Sequence, residues 1–128
     1  LSGAVIVCTP QEVALLDAVR ALNMFRELKV PVLGIIENMS GFVCPHCGQR
    51  SEIFGCGGAR KKAQELGVPF LGEIPILLEV RRLGDSGRLV ENLAAESPVR
   101  TYVLEICDRL VEQLGSATVA EQQLPTLE

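Results

Sequence analysis

Three short apolar runs stand out along the chain and alternate with segments of helical spacing. The runs occupy residues 4–8, 32–37 and 70–74; the first two consist mainly of Val, Ile and Leu, and the third reads Phe-Leu-Gly-Glu-Ile. Continuous apolar runs of this length are typical of strands buried on both faces of a parallel sheet. We therefore predict three strands, the last of which is ended by Pro75.

Helical spacing of apolar residues predicts a helix after the first strand, running to about residue 28. Its start signal combines Thr9 as N-cap, Pro10 at the first helical position and Glu12 as the partner in a capping box. The apolar positions that recur at this spacing are Leu15, Val19, Leu22 and Phe25.

Further helices are predicted at residues 59–66 and 77–83, and a longer one opens after Ser97 and Pro98. The apolar face of this last helix carries Tyr102, Val103, Ile106, Leu110 and Leu114. Polar residues follow Gly115. We therefore predict a folded unit over residues 1–115 and a disordered acidic tail over residues 116–128.

The order strand, helix, strand, loop, helix, strand, helix, helix predicts an α/β fold with a doubly wound, mostly parallel sheet. Ligands of such sheets bind at the carboxyl ends of the strands. Thr9, Asn38 and Pro75 lie at those ends, which makes this edge the candidate site. Taken alone, Asn38 is more typical of a turn residue, although its amide can also read the edge of a nucleobase.

Composition narrows the class of protein. The 128 residues are 48% hydrophobic with a formal net charge of −4, which argues against a nucleic-acid surface or a basic membrane patch. Five cysteines in a chain with an ample core indicate intracellular thiols, so we expect a cytoplasmic protein. The chain opens on Leu1 and enters a strand almost at once, which suggests a piece of a longer protein.

A pair of cysteines lies within the long loop predicted for residues 39–58. Cys44 and Cys47 are two residues apart, and Pro45 and Gly48 mark a tight turn around them. Two thiols at this spacing can ligate one metal ion or cluster, or form one redox disulfide.

Three interpretations of this pair remain open. In a thioredoxin-type motif the first cysteine opens an amphipathic helix, but the residues after Cys47 have no apolar helix stripe. In a closed zinc knuckle four ligands are required, and the local chain offers Cys44, Cys47 and Cys56 at most, because His46 lies inside the turn. In a metal or cluster shared by two chains, two thiolates from each give four. The last interpretation agrees best with the ligand count.

The other cysteines are interpreted differently. Cys8 and Cys107 are predicted to pack in the core, on a strand and a helix. Cys56 lies among glycines and is either a third thiol or an incidental one; we favour the latter. The glycines of residues 55–58 do not form a phosphate loop, because the required Gly-Lys-Ser/Thr ending is missing and no strand precedes them directly.

Three stretches together resemble one family. Residues 3–15 begin Gly-Ala-Val-Ile-Val-Cys-Thr-Pro, and residues 67–75 read Gly-Val-Pro-Phe-Leu-Gly-Glu-Ile-Pro. Residues 32–48 join Glu-Asn-Met-Ser to Cys-Pro-His-Cys-Gly, which is the most specific signature. From residue 3 to about 113 the chain resembles the Mrp/ApbC-like iron–sulfur carrier ATPases, a branch of the MinD/ParA group of P-loop NTPases.

This resemblance implies the C-terminal half of a P-loop NTPase domain. It implies a homodimer that binds and hydrolyses ATP with Mg²⁺, holds a labile [4Fe–4S] cluster between subunits and passes it to apo-proteins. By position, Cys44 and Cys47 would be the cluster ligands. Asn38 would contact adenine, the loop after Pro75 would close over the base, and residues 9–11 would lie near the nucleotide or the dimer seam. The alternatives are a zinc-stabilised dimerisation module and a CxxC thiol oxidoreductase.

Two departures from the family pattern change what is carried over. The phosphate loop, Mg²⁺ ligand and switch segments of the family lie upstream of the matched segment, so we expect no ATP hydrolysis by this chain alone. Many members also have Asp and Pro where this sequence has Leu77 and Leu78, so the adenine-loop contacts are not carried over to these two residues.

Overall fold

The computed structural model describes residues 1–122, which form a four-stranded mixed sheet with helices on both faces. The strands are β1 (Ala4–Cys8), β2 (Val32–Val43), β3 (Arg50–Ser51) and β4 (Phe70–Ile76). The helices are α1 (Glu12–Glu27), α2 (Gly58–Leu66), α3 (Leu78–Asp85) and α4 (Arg100–Gln122), with a 3₁₀ helix at Leu89–Leu93 that the sequence did not predict.

The sheet is built around β2. β1 and β4 both pair with it in parallel, and β3 pairs antiparallel with its last two residues. Phe42 pairs with Ser51 and with Ile76, so β3 occupies the side of β2 that β1 leaves free beyond Glu37. The predicted doubly wound, mostly parallel α/β fold is confirmed.

The two faces of the sheet are covered by different helices. α1 and α2 pack on the face that includes Ile35, and their core cluster contains Ile6, Cys8, Leu15, Ala18, Leu22, Ile35, Ala59 and Ala63. The next ladder pair, Ile36 with Gly72, points to the opposite face, where Ile106 of α4 lies against Gly72. Residues alternate between faces along a strand, so α4 covers the second face.

The prediction that β1 is buried on both faces is wrong for this chain. Ile6 and Cys8 are buried under α1, whereas the Val7 side chain is 58% exposed. The reason is that α4 packs mainly on β4 and β2 among the described residues, and so leaves the second face of β1 uncovered.

β2 is longer than predicted, because it continues through a bulge into the predicted loop. Asn38 pairs with Ile74 and Phe42 pairs with Ile76, so three residues of β2 face the single Pro75. Proline has no N–H to donate and is tolerated within sheets at bulges. The bulge contains two residues with positive φ, Met39 at 57° and Gly41 at 75°, which the apolar pattern does not reveal.

Two helix predictions also need correction. α1 begins at Glu12 with Gln11 as N-cap and no side-chain cap, because the Thr9 hydroxyl donates to the Gln11 Oε1 instead (3.0 Å). α4 continues through residues 116–122, which were predicted as disordered; this stretch has no proline to end the helix. The rest of the predicted tail, residues 123–128, lies outside the described residues. Over the described part of the chain, no helix has the length and apolar character needed to cross a membrane.

Candidate functional site

The thiol pair lies in the turn of a β-hairpin formed by the end of β2 and by β3. Val43 pairs with Arg50, and the Cys44 N–H donates to the carbonyl of Gln49 (3.0 Å). The Gly48 N–H donates back to the Cys44 carbonyl (2.9 Å), and the φ of Gly48 is 71°. The sequence predicted a loop here, and the structure gives it a defined hairpin geometry.

The environment of Cys44 favours its thiolate. The pKa of this half-buried thiol is lowered because its sulfur accepts hydrogen bonds from the backbone N–H groups of Cys47 and His46 and from the Cys47 side chain. Thiolate is the form that binds metals. Cys47 is exposed, so the pair opens to the surface.

The hairpin contradicts the geometry of a thioredoxin-type motif, in which the first cysteine opens a helix. After Cys47 the chain turns into β3, and the next helix begins only at Gly58. The observation therefore favours metal or cluster ligation by Cys44 and Cys47 over disulfide exchange.

In the described part of the chain, the two thiols are not joined by a third potential metal ligand. Among residues 1–122, no group of three or more His, Cys, Asp or Glu side chains is placed to hold one metal ion. Cys56 is exposed, and its thiol donates to the Glu52 carboxylate (2.8 Å), an interaction that raises the pKa of Cys56. One chain therefore offers two thiolates at this hairpin.

The two remaining cysteines differ from each other. Cys8 is buried as predicted, and burial raises the pKa of its thiol. Cys107 is exposed, so its predicted place in the core is wrong. Ile106 is the residue that α4 buries against the sheet, and the next residue of an α-helix points about 100° away from it.

A buried carboxylate links β2 to the start of α2. Glu37 is fully buried and accepts hydrogen bonds from the N–H groups of Gly57 (2.8 Å) and Ala59 (2.7 Å). It thereby satisfies N–H groups at the N-terminus of a helix that has no side-chain cap of its own. The Ser40 hydroxyl lies 2.7 Å from Glu37 and 2.8 Å from Glu73, which extends the network to β4. Sequence analysis missed these roles.

A second site feature lies at the carboxyl ends of β2 and β4. The structure brings Asn38 and Pro75 together in a mostly apolar cleft of about 350 Å³, and Leu77 also lines it. Thr9 is not among its lining residues. The Asn38 Oδ1 accepts a hydrogen bond from the Met39 N–H (2.9 Å), so this side chain also stabilises the bulge, in keeping with its interpretation as a turn residue.

Other residues complete the cleft and its surroundings. Its further lining residues are Met39, Phe54, Ile76, Val80 and Arg81. Sequence analysis missed them; the apolar residues Met39 and Phe54 inside a polar loop were the available signal. A neighbouring groove is lined by Pro45 of the thiol turn together with Leu77 and Leu78, so the cleft and the turn are close to each other.

Comparisons with known proteins agree on one family. A family profile described as ParA, NUBPL iron-transfer P-loop NTPase, matches residues 1–111. The iron–sulfur cluster carrier protein of Methanocaldococcus jannaschii is 52% identical over 114 residues, which cover 89% of this chain and 39% of that protein. The iron–sulfur cluster transfer protein NUBPL of Dictyostelium discoideum is 46% identical over 114 residues, which cover 89% of this chain and 35% of that protein.

Solved structures give the same fold. A nucleotide-binding protein from Archaeoglobus fulgidus in complex with ADP is 44% identical, with a TM-score of 0.62 over 70% of this chain and 37% of that one. The cell division ATPase MinD of Pyrococcus furiosus has a TM-score of 0.67 at 17% identity, over 87% of this chain and 43% of that one. The chain thus spans well under half the length of the relatives it matches.

Proposed function

The chain belongs to the ParA family of NUBPL iron-transfer P-loop NTPases, and from this membership we propose that it carries an iron–sulfur cluster on Cys44 and Cys47. The cluster is the cargo, delivered to apo-proteins that require it. The observation that supports the proposal most is the hairpin turn, which presents two thiols at the surface and stabilises the Cys44 sulfur as a thiolate.

Ligand count supports a cluster shared between two copies of the chain. A [4Fe–4S] cluster takes four cysteine thiolates, and the hairpin supplies two. A second copy related by two-fold symmetry supplies the other two from the same turn. A structural Zn²⁺ ion that stabilises a dimer also requires four ligands, so Zn²⁺ is the alternative to the cluster at this site.

Anaerobic reconstitution with iron and sulfide tests the ligands. The wild-type chain is expected to develop the broad charge-transfer absorption of an iron–sulfur cluster held by cysteine thiolates. Cys44→Ser and Cys47→Ser are each expected to abolish it, because each removes one thiolate from both copies.

Cys107→Ser is the matched control, since Cys107 is an exposed thiol outside the hairpin. It is expected to leave the absorption unchanged. Iron and sulfide analysis combined with light scattering should give one cluster per two chains. A monomer with a complete cluster, or a dimer that binds Zn²⁺ but forms no iron–sulfur chromophore, contradicts the proposal.

We also propose that the cleft at Asn38 and Pro75 receives an adenine base. The cleft has mostly apolar walls for a planar ring, and the amide side chain of Asn38 is among its lining residues. The Archaeoglobus fulgidus relative binds ADP, which supports a nucleotide as the ligand. In the family the phosphates are held by a glycine-rich loop, and binding and hydrolysis of ATP by the whole protein form part of this proposal.

A further inference from the structure

Arg50 links the thiol hairpin to two other parts of the sheet. Its Nη2 donates to the carbonyl of Ser40 (2.9 Å), within the bulge of β2, and its Nη1 lies 3.4 Å from Glu73 Oε1 on β4. Arg50 follows Cys47 by three residues and pairs with Val43. A single guanidinium therefore connects the turn that carries the thiols with the strands below it.

The space that this guanidinium occupies depends on a glycine. A Cβ atom on Gly41 would lie 2.6 Å from the Arg50 Nε, closer than Cβ atoms approach other atoms in real proteins. Gly41 also has a φ of 75°, which other residues adopt only with strain. The bulge of β2 thus has both the backbone shape and the open surface that Arg50 requires.

The partners of Arg50 are themselves fixed. Ser40 is fully buried, and its hydroxyl lies within hydrogen-bond distance of Glu37 and Glu73. Glu37 in turn holds the first N–H groups of α2. By contrast, the hairpin ladder contains only the two residue pairs of β3. A ladder this short is marginal on its own, so an external anchor has a large effect on its geometry.

We propose that Arg50 is a positioning residue for the thiol pair. By holding the hairpin against the Ser40 carbonyl and Glu73, it fixes the relative placement of Cys44 and Cys47, and so sets how tightly the pair binds a tetrahedral thiolate-ligated ion. This inference rests on the proposed role of the two thiols as ligands, and it adds a residue that ligates nothing itself.

Co²⁺ binding to the metal-free chain tests the proposal without a cluster or a nucleotide. Three proteins are compared: wild type, Arg50→Gln, which keeps a polar side chain but removes the charge and the guanidinium nitrogens that reach Ser40 and Glu73, and Arg20→Gln as the matched control. Arg20 makes an exposed ion pair with Asp17 far along the chain from the hairpin. Supporting residues around metal ligands typically alter affinity by about 10- to 100-fold.

The expected result is a loss of about tenfold or more in Co²⁺ affinity for Arg50→Gln, with a changed thiolate-to-cobalt absorption spectrum. Arg20→Gln is expected to match wild type. Arg50→Lys, which keeps the charge but not the fork that reaches both partners, is expected to fall between them. Equal affinity and spectra for wild type and Arg50→Gln overturn the proposal.

Site-resolved alkylation separates positioning from general destabilisation. Cys8 is buried and Cys107 is exposed, so the same chain carries a reporter of sheet opening and a reference thiol. In Arg50→Gln we expect altered alkylation of Cys44 and Cys47 with Cys8 still protected. Loss of Cys8 protection would assign Arg50 a merely structural role and overturn the proposal. Should Arg50→Gln not fold, Glu73→Gln removes the same ion pair and is judged by the same two readouts.

These readouts also distinguish this inference from the proposed function. If the wild-type chain forms no iron–sulfur chromophore but Arg50→Gln still weakens Co²⁺ binding, the proposed cluster cargo is contradicted and the positioning role of Arg50 stands. If Arg50→Gln forms as much cluster as wild type and binds Co²⁺ with the same affinity, the positioning role of Arg50 is contradicted and the proposed cluster cargo stands.

Discussion

At the scale of single residues, Cys44 and Cys56 have opposite hydrogen-bond environments. The Cys44 sulfur accepts hydrogen bonds from N–H groups, which lowers its pKa, whereas the Cys56 thiol donates a hydrogen bond to the Glu52 carboxylate, which raises its pKa. A lowered pKa increases the thiolate fraction at neutral pH, and a raised pKa reduces it. Thiolate is the nucleophile in alkylation, so the two thiols should react at different rates.

We predict that iodoacetamide at pH 7 alkylates Cys44 faster than Cys56, and that the difference shrinks as the pH rises above 9. Glu52→Gln is expected to increase the alkylation rate of Cys56 and to leave the alkylation rate of Cys44 unchanged. Peptide mass spectrometry over a time course measures each site separately. Equal rates at pH 7, or a Cys56 rate that does not respond to Glu52→Gln, would contradict these environments.

At this scale, sequence alone is informative about a residue when the signal is local. The spacing of Cys44 and Cys47 was enough to single out the pair. Glu37 was missed because its partners, Gly57 and Ala59, lie about twenty residues away and meet it only after α2 packs on β2. Arg50 was missed for a similar reason, because its anchor on Glu73 belongs to another strand.

At the scale of elements, α4 and β4 meet at a point with no spare room. A Cβ atom on Gly72 would lie 2.6 Å from the Ile106 Cγ1. We predict that Gly72→Ala destabilises the fold by about 1–3 kcal/mol, the typical cost of overpacking. Chemical denaturation followed by circular dichroism measures the change. Gly115→Ala is the control, because nothing lies within 4 Å of a Cβ there, and it is expected to be neutral or mildly stabilising.

A double variant makes this prediction specific to the contact. Ile106→Ala removes the atom that the new methyl group would meet. The cost of Gly72→Ala should therefore be smaller in the Ile106→Ala background than in wild type, with a coupling of about 0.5–3 kcal/mol. Strictly additive costs would show that the strain lies in the backbone of Gly72 and not against α4.

The same scale shows what apolar pattern can and cannot predict. The positions of β1, α1 and α2 followed from periodicity to within a few residues. The extension of β2 to Val43 did not, because it passes through a bulge whose positive φ at Met39 has no compositional marker. The prediction that both faces of β1 are buried was also wrong, because the apolar sequence of a strand does not show whether helices pack on one or both of its faces.

At the scale of the whole molecule, the 128 residues contain the cleft at Asn38 and Pro75 but no Gly-x₄-Gly-Lys-Ser/Thr run. We predict that the chain assayed as it stands releases no phosphate from Mg-ATP and binds ATP only weakly. A base contact contributes about 1–3 kcal/mol, which is small against the cost of immobilising a nucleotide. Calorimetry and a phosphate-release assay measure both properties, and micromolar binding or steady turnover would contradict the prediction.

A longer protein of this family that includes a phosphate-binding loop provides the complementary test. With this chain joined to such a loop, Asn38→Ala is expected to weaken ATP binding about tenfold, since one polar base contact is lost. Cluster ligation by Cys44 and Cys47 is expected to remain, because the Asn38 side chain hydrogen-bonds the Met39 N–H and lies six residues before the first thiol. Arg20→Gln again serves as the exposed control.

The long strand β2 has a consequence for spectroscopy. It carries Asn38 in its interior and ends at Val43, one residue before Cys44, so the two candidate sites are six residues apart along the chain. At about 3.3 Å per residue the two are at most about 20 Å apart, and the bulge shortens this span. A paramagnetic ion on the thiols would therefore broaden the proton resonances of a nucleotide in the cleft. The distance derived from that broadening can be compared with the upper limit set by the length of chain between the two sites.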